Sequence, residues 1–185
     1  MIEDVIEEAK VKMGKAVDAL RRNLMTIRTG RASPALVEGL RIECYGTSTP
    51  LGQLATIAVP EPRLIVIRPW DPNILENIER AILQSELGLN PINDGKIIRL
   101  PIPRLTEERR RDLTKLVSRR VEEGKIAVRN CRRDALKELR TLKGEGSISE
   151  DDFYRAKDNL QEVTDEFIAK MDELGERKEK EIMEF

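Results

Sequence analysis

Apolar residues recur every three or four positions along the first 27 residues of the chain. In order, they are Ile2, Ile6, Ala9, Met13, Ala16, Leu20, Leu24 and Ile27. This spacing places one apolar stripe along an amphipathic helix, which would be roughly 40 Å long at about 1.5 Å per residue. Because the stripe is too narrow to bury itself alone, it predicts a helix that packs against other helices.

The same spacing returns after Pro103 in two further segments. The first has Thr106 as its expected N-cap and ends at the turn Gly144-Glu145-Gly146. Its apolar side is formed by Leu113, Val117, Val121, Gly124, Val128, Cys131, Ala135, Leu139 and Leu142. The second begins near Ser147 or Ser149, with Phe153, Ala156, Leu160, Val163, Phe167, Met171 and Leu174 on its apolar side. A short glycine turn makes these helices antiparallel neighbours, so the two ends of the chain predict a three-helix bundle.

The segment between these parts has a different pattern, since all nine prolines lie between Pro34 and Pro103 and proline interrupts helices. Runs typical of strands cover residues 40–45, 55–59, 64–67 and 96–100, the last after the turn Asn93-Asp94-Gly95. Asp71-Pro72 is expected to begin a helix that carries Ile74, Ile78, Ala81, Ile82 and Leu87. A compact module of strands and one helix is therefore predicted.

The predicted fold class is α+β, a long three-helix bundle with an inserted small α/β domain of the β-α-β, sandwich-like type. The bundle is discontinuous and comprises residues 1–29 and 105–185, and the inserted domain covers residues 31–104. The two connections, near 29–31 and 102–105, are expected to act as hinges, because glycine permits backbone movement and proline limits it. The hinge residues are Thr29, Gly30, Arg31, Pro103, Arg104 and Leu105.

Composition agrees with long charged helices, since 36% of the residues are charged and 3% are aromatic. The N-terminal segment lacks the features of a secretory signal, and no run approaches the ~20 apolar residues of a membrane span. Cys44 and Cys131 lie far apart, which predicts neither a disulfide nor a metal clip. A cytoplasmic protein without membrane contact is expected.

Charge is unevenly distributed, although the net charge is only −1. Residues 106–143 hold thirteen basic and seven acidic side chains, whereas residues 147–185 hold six basic and thirteen acidic ones. Attraction between neighbouring helices explains these averages. It explains less well the cluster of Arg129, Arg132 and Arg133, which project within about a third of the helix circumference, beside the apolar stripe. Arginine pairs bidentately with phosphate and stacks on bases, so this cluster predicts contact with structured RNA.

Further arginines could add a second point of contact. Arg109-Arg110-Arg111 lies about five turns earlier on the same predicted helix. Arg28 and Arg31 flank the first connection. Two separate basic points on a stiff helix would fix its orientation on a large partner. The alternatives are ordinary pairing of residues 109–111 with neighbouring acids at 107, 108 and 112, and a salt bridge of Arg31 within the hinge.

Several chemical features of enzymes are missing from the sequence. It contains no histidine, no phosphate-binding GxxxxGK[ST] loop, no GxGxxG fingerprint and no HExxH motif. Neither cysteine has companion ligands for a metal. The sequence therefore predicts no catalytic residues, no metal, no cofactor and no small-molecule substrate, and hence a protein that is not an enzyme.

Several short motifs stand out along the chain: residues 28–34 (RTGRASP), Tyr45 with 50–55 (PLGQLA), 89–95 (LNPINDG), 105–110 (LTEERR), 128–135 (VRNCRRDA) and 178–183 (KEKEIM). Together they resemble the motifs of the bacterial ribosome recycling factors. They occur in order over essentially the whole chain. The resemblance implies an L-shaped, transfer-RNA-sized monomer that binds the post-termination ribosome through contacts of the bundle to large-subunit ribosomal RNA. With elongation factor G and GTP, such factors split the ribosome into subunits and release it from mRNA for a new round of translation.

Motif by motif, the resemblance implies that Arg132 is the principal contact to ribosomal RNA. The full expected set is Arg132, Arg129, Arg110, Arg133, Arg31 and Arg28. Cys131 and Gly124 depart from the expected pattern, and Gly124 should weaken its helix by up to ~1 kcal/mol relative to alanine. An alternative function is a coiled-coil, chaperone-like adaptor that binds proteins through an apolar edge. Salt separates the two, because binding through several arginines weakens steeply as salt rises.

Overall fold

The computed structural model describes residues 1–184, which form four α helices and six strands. The helices are α1 (Ile2–Met25), α2 (Leu75–Gln84), α3 (Glu107–Gly144) and α4 (Glu150–Glu184). The strands are β1 (Arg41–Cys44), β2 (Thr47–Pro50), β3 (Ala55–Glu61), β4 (Leu64–Pro69), β5 (Ile92–Asn93) and β6 (Ile98–Pro101). The chain divides into two compact units, Met1–Thr29 with Thr106–Glu184, and Gly30–Leu105. The expected α+β class, long helices with a small sheet domain, is confirmed.

The first unit is a bundle of α1, α3 and α4. Each of the two long helices begins at an expected cap: Thr106 Oγ1 accepts the Arg109 N–H at 3.1 Å, and Ser149 Oγ accepts the Asp152 N–H at 3.0 Å. These side chains satisfy backbone donors that have no partner within the helix. None of the helices within residues 1–184 is both long and apolar enough to cross a membrane.

Helix α1 is shorter than its apolar stripe. It spans 24 residues, and the predicted length of about 27 is therefore too long. At its end the Thr26 hydroxyl donates to the Asn23 carbonyl at 2.6 Å, which competes with continuation of the helix. Ile27 is nevertheless buried, so an apolar residue just past the helix end still contributes to the core.

Two core positions of the bundle differ from the predicted stripes. Val17 is buried rather than Ala16, and Gly175 is buried rather than Leu174. Over long helices the 3.6-residue period drifts relative to a fixed spacing, so the buried position shifts by one residue. Gly124 has a packing role that the sequence did not indicate, because a Cβ there would lie 3.1 Å from Met171 Sδ.

The second unit contains a four-stranded antiparallel sheet of order β3-β4-β6-β5 and a separate β1-β2 hairpin. Its core combines side chains from the sheet, from α2 and from β1, including Ile65, Ile67, Ile98, Leu100, Ile78, Ile82 and Ile42. Arg68 on β4 is paired in register with Thr56 on β3, and its side chain is exposed.

Three details of this unit correct the sequence predictions. Strand β2 was not predicted, because residues 47–50 lack apolar alternation and are held as a strand by pairing with β1. Strand β6 begins at Ile98 rather than at Lys96. A 3-10 turn at Pro72–Ile74 precedes α2, and Asp71 caps this turn. Leu87 lies beyond the end of α2.

Candidate nucleic-acid interface

The predicted arginine cluster lies on α3, on and beside its side that faces α4. Arg132 is half-buried, whereas Arg129 and Arg133 are exposed. The antiparallel packing of the two helices is marked by the Lys125–Asp172 ion pair and by a 3.1 Å hydrogen bond from Ser118 to Glu179. The structure thus places the three arginines together, with Arg132 nearest to the neighbouring helix.

Arg132 is held by a chain of two hydrogen bonds that involves two residues of α4. Its Nη1 donates to Gln161 Oε1 at 3.1 Å, and Gln161 Nε2 donates to Asp165 Oδ1 at 2.9 Å. Arginine carries five N–H donors, so one bond to a neutral amide leaves most of the guanidinium available to a phosphate or a base. Gln161 and Asp165 were not found from the sequence, since the register between α3 and α4 decides which residues face Arg132.

The other two arginines of the cluster have different surroundings. Arg129 Nη1 lies 3.2 Å from Glu122 Oε1 across an exposed surface, and such pairs are worth little in water. The Arg133 side chain forms neither an ion pair nor a hydrogen bond with any other residue among 1–184. An incoming phosphate could therefore contact both side chains at low cost.

Arg110, the predicted second point of contact, reaches the C-terminus of α4. Its Nη1 donates to the Met183 carbonyl at 3.1 Å, so it caps one of the last carbonyls of that helix. Its Nε is buried and finds no acceptor within residues 1–184. The acids at 107, 108 and 112 were expected to pair with the arginines at 109–111. Glu107 does lie near Arg111, but the distance between their charged atoms is 3.9 Å and both side chains are exposed. Arg110 thus has a structural contact as well as a charge.

Most of the positive charge of α3 is not neutralised within the described chain. Among residues 1–184, only five of the thirteen basic side chains between 106 and 143 form an ion pair: Arg111, Arg120, Lys125, Arg129 and Lys143. Direct ion pairs between α3 and α4 therefore neutralise only a small part of the positive charge of α3. Exposed basic residues that the sequence did not single out are Lys115, Arg119, Lys137 and Arg140.

The segments predicted as hinges are anchored in the second unit. The Ala32 N–H donates to the Pro62 carbonyl at 2.7 Å, and the Ile102 N–H donates to the Arg63 carbonyl at 2.8 Å. The two segments therefore enter this unit side by side, at the turn between β3 and β4. Gly30 has a φ of 79°, a conformation that glycine adopts readily. Thr29 is buried, Leu105 is half-buried, and Arg31, Pro103 and Arg104 are exposed.

The cysteine within the arginine cluster does not supply a reactive site. Burial raises the pKa of the Cys131 thiol, and the nearby Asp134 carboxylate raises it further. The thiol is therefore neutral at physiological pH and acts as a small apolar group. Residues 1–184 contain no group of three or more cysteine, aspartate or glutamate side chains placed to hold a metal ion.

Comparisons with known proteins agree with one another. The family model described as ribosome recycling factor matches residues 20–183. The ribosome-recycling factor of Roseiflexus sp. (strain RS-1) is 59% identical over 184 residues, which cover 100% of both chains. A solution structure of the ribosome recycling factor is 46% identical, with a TM-score of 0.76 over 100% of this chain and 98% of that chain.

A second solved structure gives models for the T. thermophilus ribosome recycling factor and the E. coli elongation factor G bound to the E. coli post-termination complex. That factor is 48% identical to this chain, with a TM-score of 0.64 over 98% of both chains. Both the family model and the relatives extend over the bundle and the α+β unit alike. The chain therefore belongs to the ribosome recycling factor family, whose members are translation factors and not enzymes.

Proposed function

We propose that this chain recycles ribosomes. It binds the post-termination ribosome as a monomer in the cytoplasm. With elongation factor G and GTP, it separates the subunits and releases the ribosome from mRNA for another round of translation. The observation that carries the proposal is the run of exposed basic side chains on α3, most of them without an ion pair within residues 1–184. A surface of this kind attracts the phosphates of large-subunit ribosomal RNA.

Two points on α3 hold the bundle on the RNA. Arg132, Arg129 and Arg133 form one point, and Arg110 lies 22 positions before Arg132 on the same helix, about 33 Å away at 1.5 Å per residue. Contacts at both points fix the orientation of a stiff helix, which a single point could not do. Arg28 and Arg31 add positive charge near the first connection between the units.

The second unit supplies movement. The bundle and the α+β unit are joined by hinges near residues 29–31 and 102–105. The second unit moves about Gly30 and Arg104 when elongation factor G changes conformation, so the energy comes from the GTPase. The supporting observation is that the N–H groups of Ala32 and Ile102 donate to the adjacent carbonyls of Pro62 and Arg63. The two connections therefore enter the second unit side by side.

Light scattering of ribosomes tests the function directly. With elongation factor G and GTP present, addition of the chain should lower the scattering as subunits separate. Arg132→Ala should slow this step at least about tenfold, because a hydrogen-bonded contact to a charged group is lost. Arg155→Ala, an exposed arginine on α4, is the matched control and should split ribosomes at the normal rate. Splitting that survives Arg132→Ala unchanged would remove Arg132 from the RNA contact, and no splitting by the unaltered chain would overturn the function.

The hinge is tested with a pair of glycines that both have positive φ. Gly30→Ala places a Cβ on a residue with φ 79° at the connection, whereas Gly146→Ala does the same at φ 74° in the turn between α3 and α4. Both substitutions introduce comparable backbone strain, of about 1–3 kcal/mol. Only Gly30→Ala should slow subunit separation while leaving ribosome binding intact. Equal behaviour of the two variants would contradict the hinge role of Gly30.

A further inference from the structure

The second unit contains a cavity between β1 and α2. Its volume is about 310 Å³, and all of its lining residues lie within positions 40–85. This volume is at the lower end of the roughly 300–1,000 Å³ that is typical of small-ligand sites. The cavity is therefore large enough for a small ligand, and the side chains that line it decide which chemical class fits.

Two arginines that are far apart in the sequence line this cavity. Arg41 alternates along β1 with the buried Ile42, so its side chain points away from the core. Arg80 lies on α2 three residues after Asn77 and four before Gln84, so these three side chains share one side of the helix. The fold thus brings together two positive charges from a strand and from a helix.

Neither arginine is neutralised within the described chain. Both are exposed, and their side chains form no ion pair and no hydrogen bond with any other residue among 1–184. The Glu43 carboxylate also lines the cavity, yet it pairs with neither arginine. Two unpaired positive groups at one cavity repel each other, and an anion between them would replace this repulsion with attraction.

Neutral donors add to the two charges. The Asn77 side chain donates through Nδ2 to the Glu43 carbonyl at 2.9 Å, which fixes α2 against β1 beside the cavity. An amide group has two N–H donors, so Asn77 keeps one of them, and the exposed Gln84 offers two more. The donors come from both walls of the cavity. A phosphate has oxygens in several directions, whereas a carboxylate has its two in one plane, so this arrangement suits a phosphate.

We propose that the cavity lined by Arg41 and Arg80, here called the Arg80 cavity, binds a phosphate group. The two guanidinium groups hold its oxygens from opposite walls, and Asn77 and Gln84 donate further hydrogen bonds. The site goes beyond the proposed function, because it lies in the second unit and no arginine of α3 takes part in it. RNA and free phosphate compounds both carry this group, and competition experiments separate the two sources.

Glu43 limits the affinity of the Arg80 cavity. Two arginines and one glutamate give the lining a net charge of +1. Asn77 is bonded to the main-chain carbonyl of Glu43, so a change of the Glu43 side chain leaves that hydrogen bond in place. Glu43→Gln should therefore tighten phosphate binding about threefold, a gain that a purely structural role of these residues would not produce.

Nuclear magnetic resonance of the full chain, labelled with nitrogen-15, tests the site. Inorganic phosphate is added at constant ionic strength, which is maintained with sodium chloride. The Nε–H signals of Arg41 and Arg80 should shift together and saturate. The signal of Arg68, an exposed arginine of β4 that forms no ion pair within residues 1–184, should not shift. Arg41→Ala and Arg80→Ala should each weaken binding about threefold or more, whereas Arg68→Ala should leave it unchanged.

Two further probes separate the ligand classes. Hexauridylate without a terminal phosphate presents only the phosphodiesters of an RNA backbone, and acetate presents a carboxylate. Displacement of inorganic phosphate from the Arg80 cavity by this RNA would assign the site to RNA. Retention of the phosphate in its presence would assign the site to free phosphate compounds. Acetate should bind more weakly than phosphate.

Several outcomes would overturn the site. They are shifts at Arg68 as large as those at Arg41 and Arg80, weaker binding by Glu43→Gln, and acetate binding as tight as phosphate binding. Shifts that do not saturate would show nonspecific attraction of ions and would overturn it as well. None of these results affects the proposed function, which is tested separately through Arg132 and subunit separation.

Discussion

Gly175 of α4 lies directly against Val121 of α3: a Cβ built on Gly175 would be only 2.7 Å from Val121 Cγ2. Real Cβ atoms essentially never approach another atom so closely, and a β-branched valine cannot turn away easily. Glycine therefore permits the close approach of the two helices at this point. The sequence did not reveal this contact, since a glycine within a helix ordinarily indicates only lower helix stability.

Alanine substitutions at three helical glycines should give three different results. Gly175→Ala should destabilise the bundle by about 1–2 kcal/mol, because overpacking costs more than alanine gains in the helix. Gly124→Ala should be nearly neutral, since its close neighbour is the flexible end of Met171. Gly14→Ala, with its nearest atom at 3.9 Å, should stabilise by up to ~1 kcal/mol. Urea denaturation followed by circular dichroism measures all three.

A double variant separates steric overlap from other causes. If the Val121 contact is responsible, Gly175→Ala combined with Val121→Ala should cost less than the sum of the two single changes. Simple addition of the two effects would contradict this explanation.

Gln161 is expected to orient Arg132 for RNA binding. Gln161→Ala removes the acceptor at 3.1 Å and should weaken ribosome binding several-fold, because the guanidinium must then be ordered on binding. Gln161→Glu should weaken it further, since a carboxylate at this place competes with phosphate for Arg132. Filter binding at several salt concentrations provides the measurement. Gln161→Ala should leave the salt dependence unchanged, whereas Arg132→Ala should reduce its slope by about one unit.

A result in which Gln161→Glu binds more tightly than the unaltered chain would contradict this role. It would indicate that Arg132 serves to hold α4 in place and that RNA contacts lie elsewhere on α3.

Arg110 should have two separable roles. Because its Nη1 caps the Met183 carbonyl at 3.1 Å, Arg110→Ala should increase amide hydrogen exchange in the last turns of α4. The loss of charge should also weaken ribosome binding. Arg109→Ala, the exposed neighbour, is the matched control for charge, and it should leave the exchange at the end of α4 unchanged. Unchanged exchange in Arg110→Ala would show that the cap does not stabilise this helix end.

The sequence was sufficient to predict the helices of the bundle, because their apolar spacing and their caps are local signals. The hydroxyl groups of Thr106 and Ser149 each accept a backbone N–H from the first turn of the helix, as expected of an N-cap. Strand β2 could not be predicted in this way, since Thr47–Pro50 has no apolar alternation and exists through its pairing with β1.

The relation between helices also lies outside local sequence signals. Arg132 was predicted from its residue type and neighbours, but Gln161 is 29 positions away and is brought to it by the packing of α4 on α3. Likewise, nothing in the pattern around Trp70 indicated that a residue usually buried would be 71% exposed. The sequence thus named candidate side chains such as Arg132, whereas their partners depended on the fold.

Asp94 should make the stability of the second unit depend on pH. Its Oδ1 accepts the N–H groups of Ile97 at 2.9 Å and Lys96 at 3.0 Å, and these bonds, with the nearby Arg99, lower the pKa of its carboxyl group. The pKa is depressed in the folded chain, so the stabilisation is present above the unfolded value of about 3.9 and is lost as pH falls through the folded pKa. Carbon-detected NMR titration should therefore place the Asp94 pKa below that value. The stability difference between the unaltered chain and Asp94→Asn should shrink from about pH 7 to about pH 3, and a difference that grows instead would contradict the assignment.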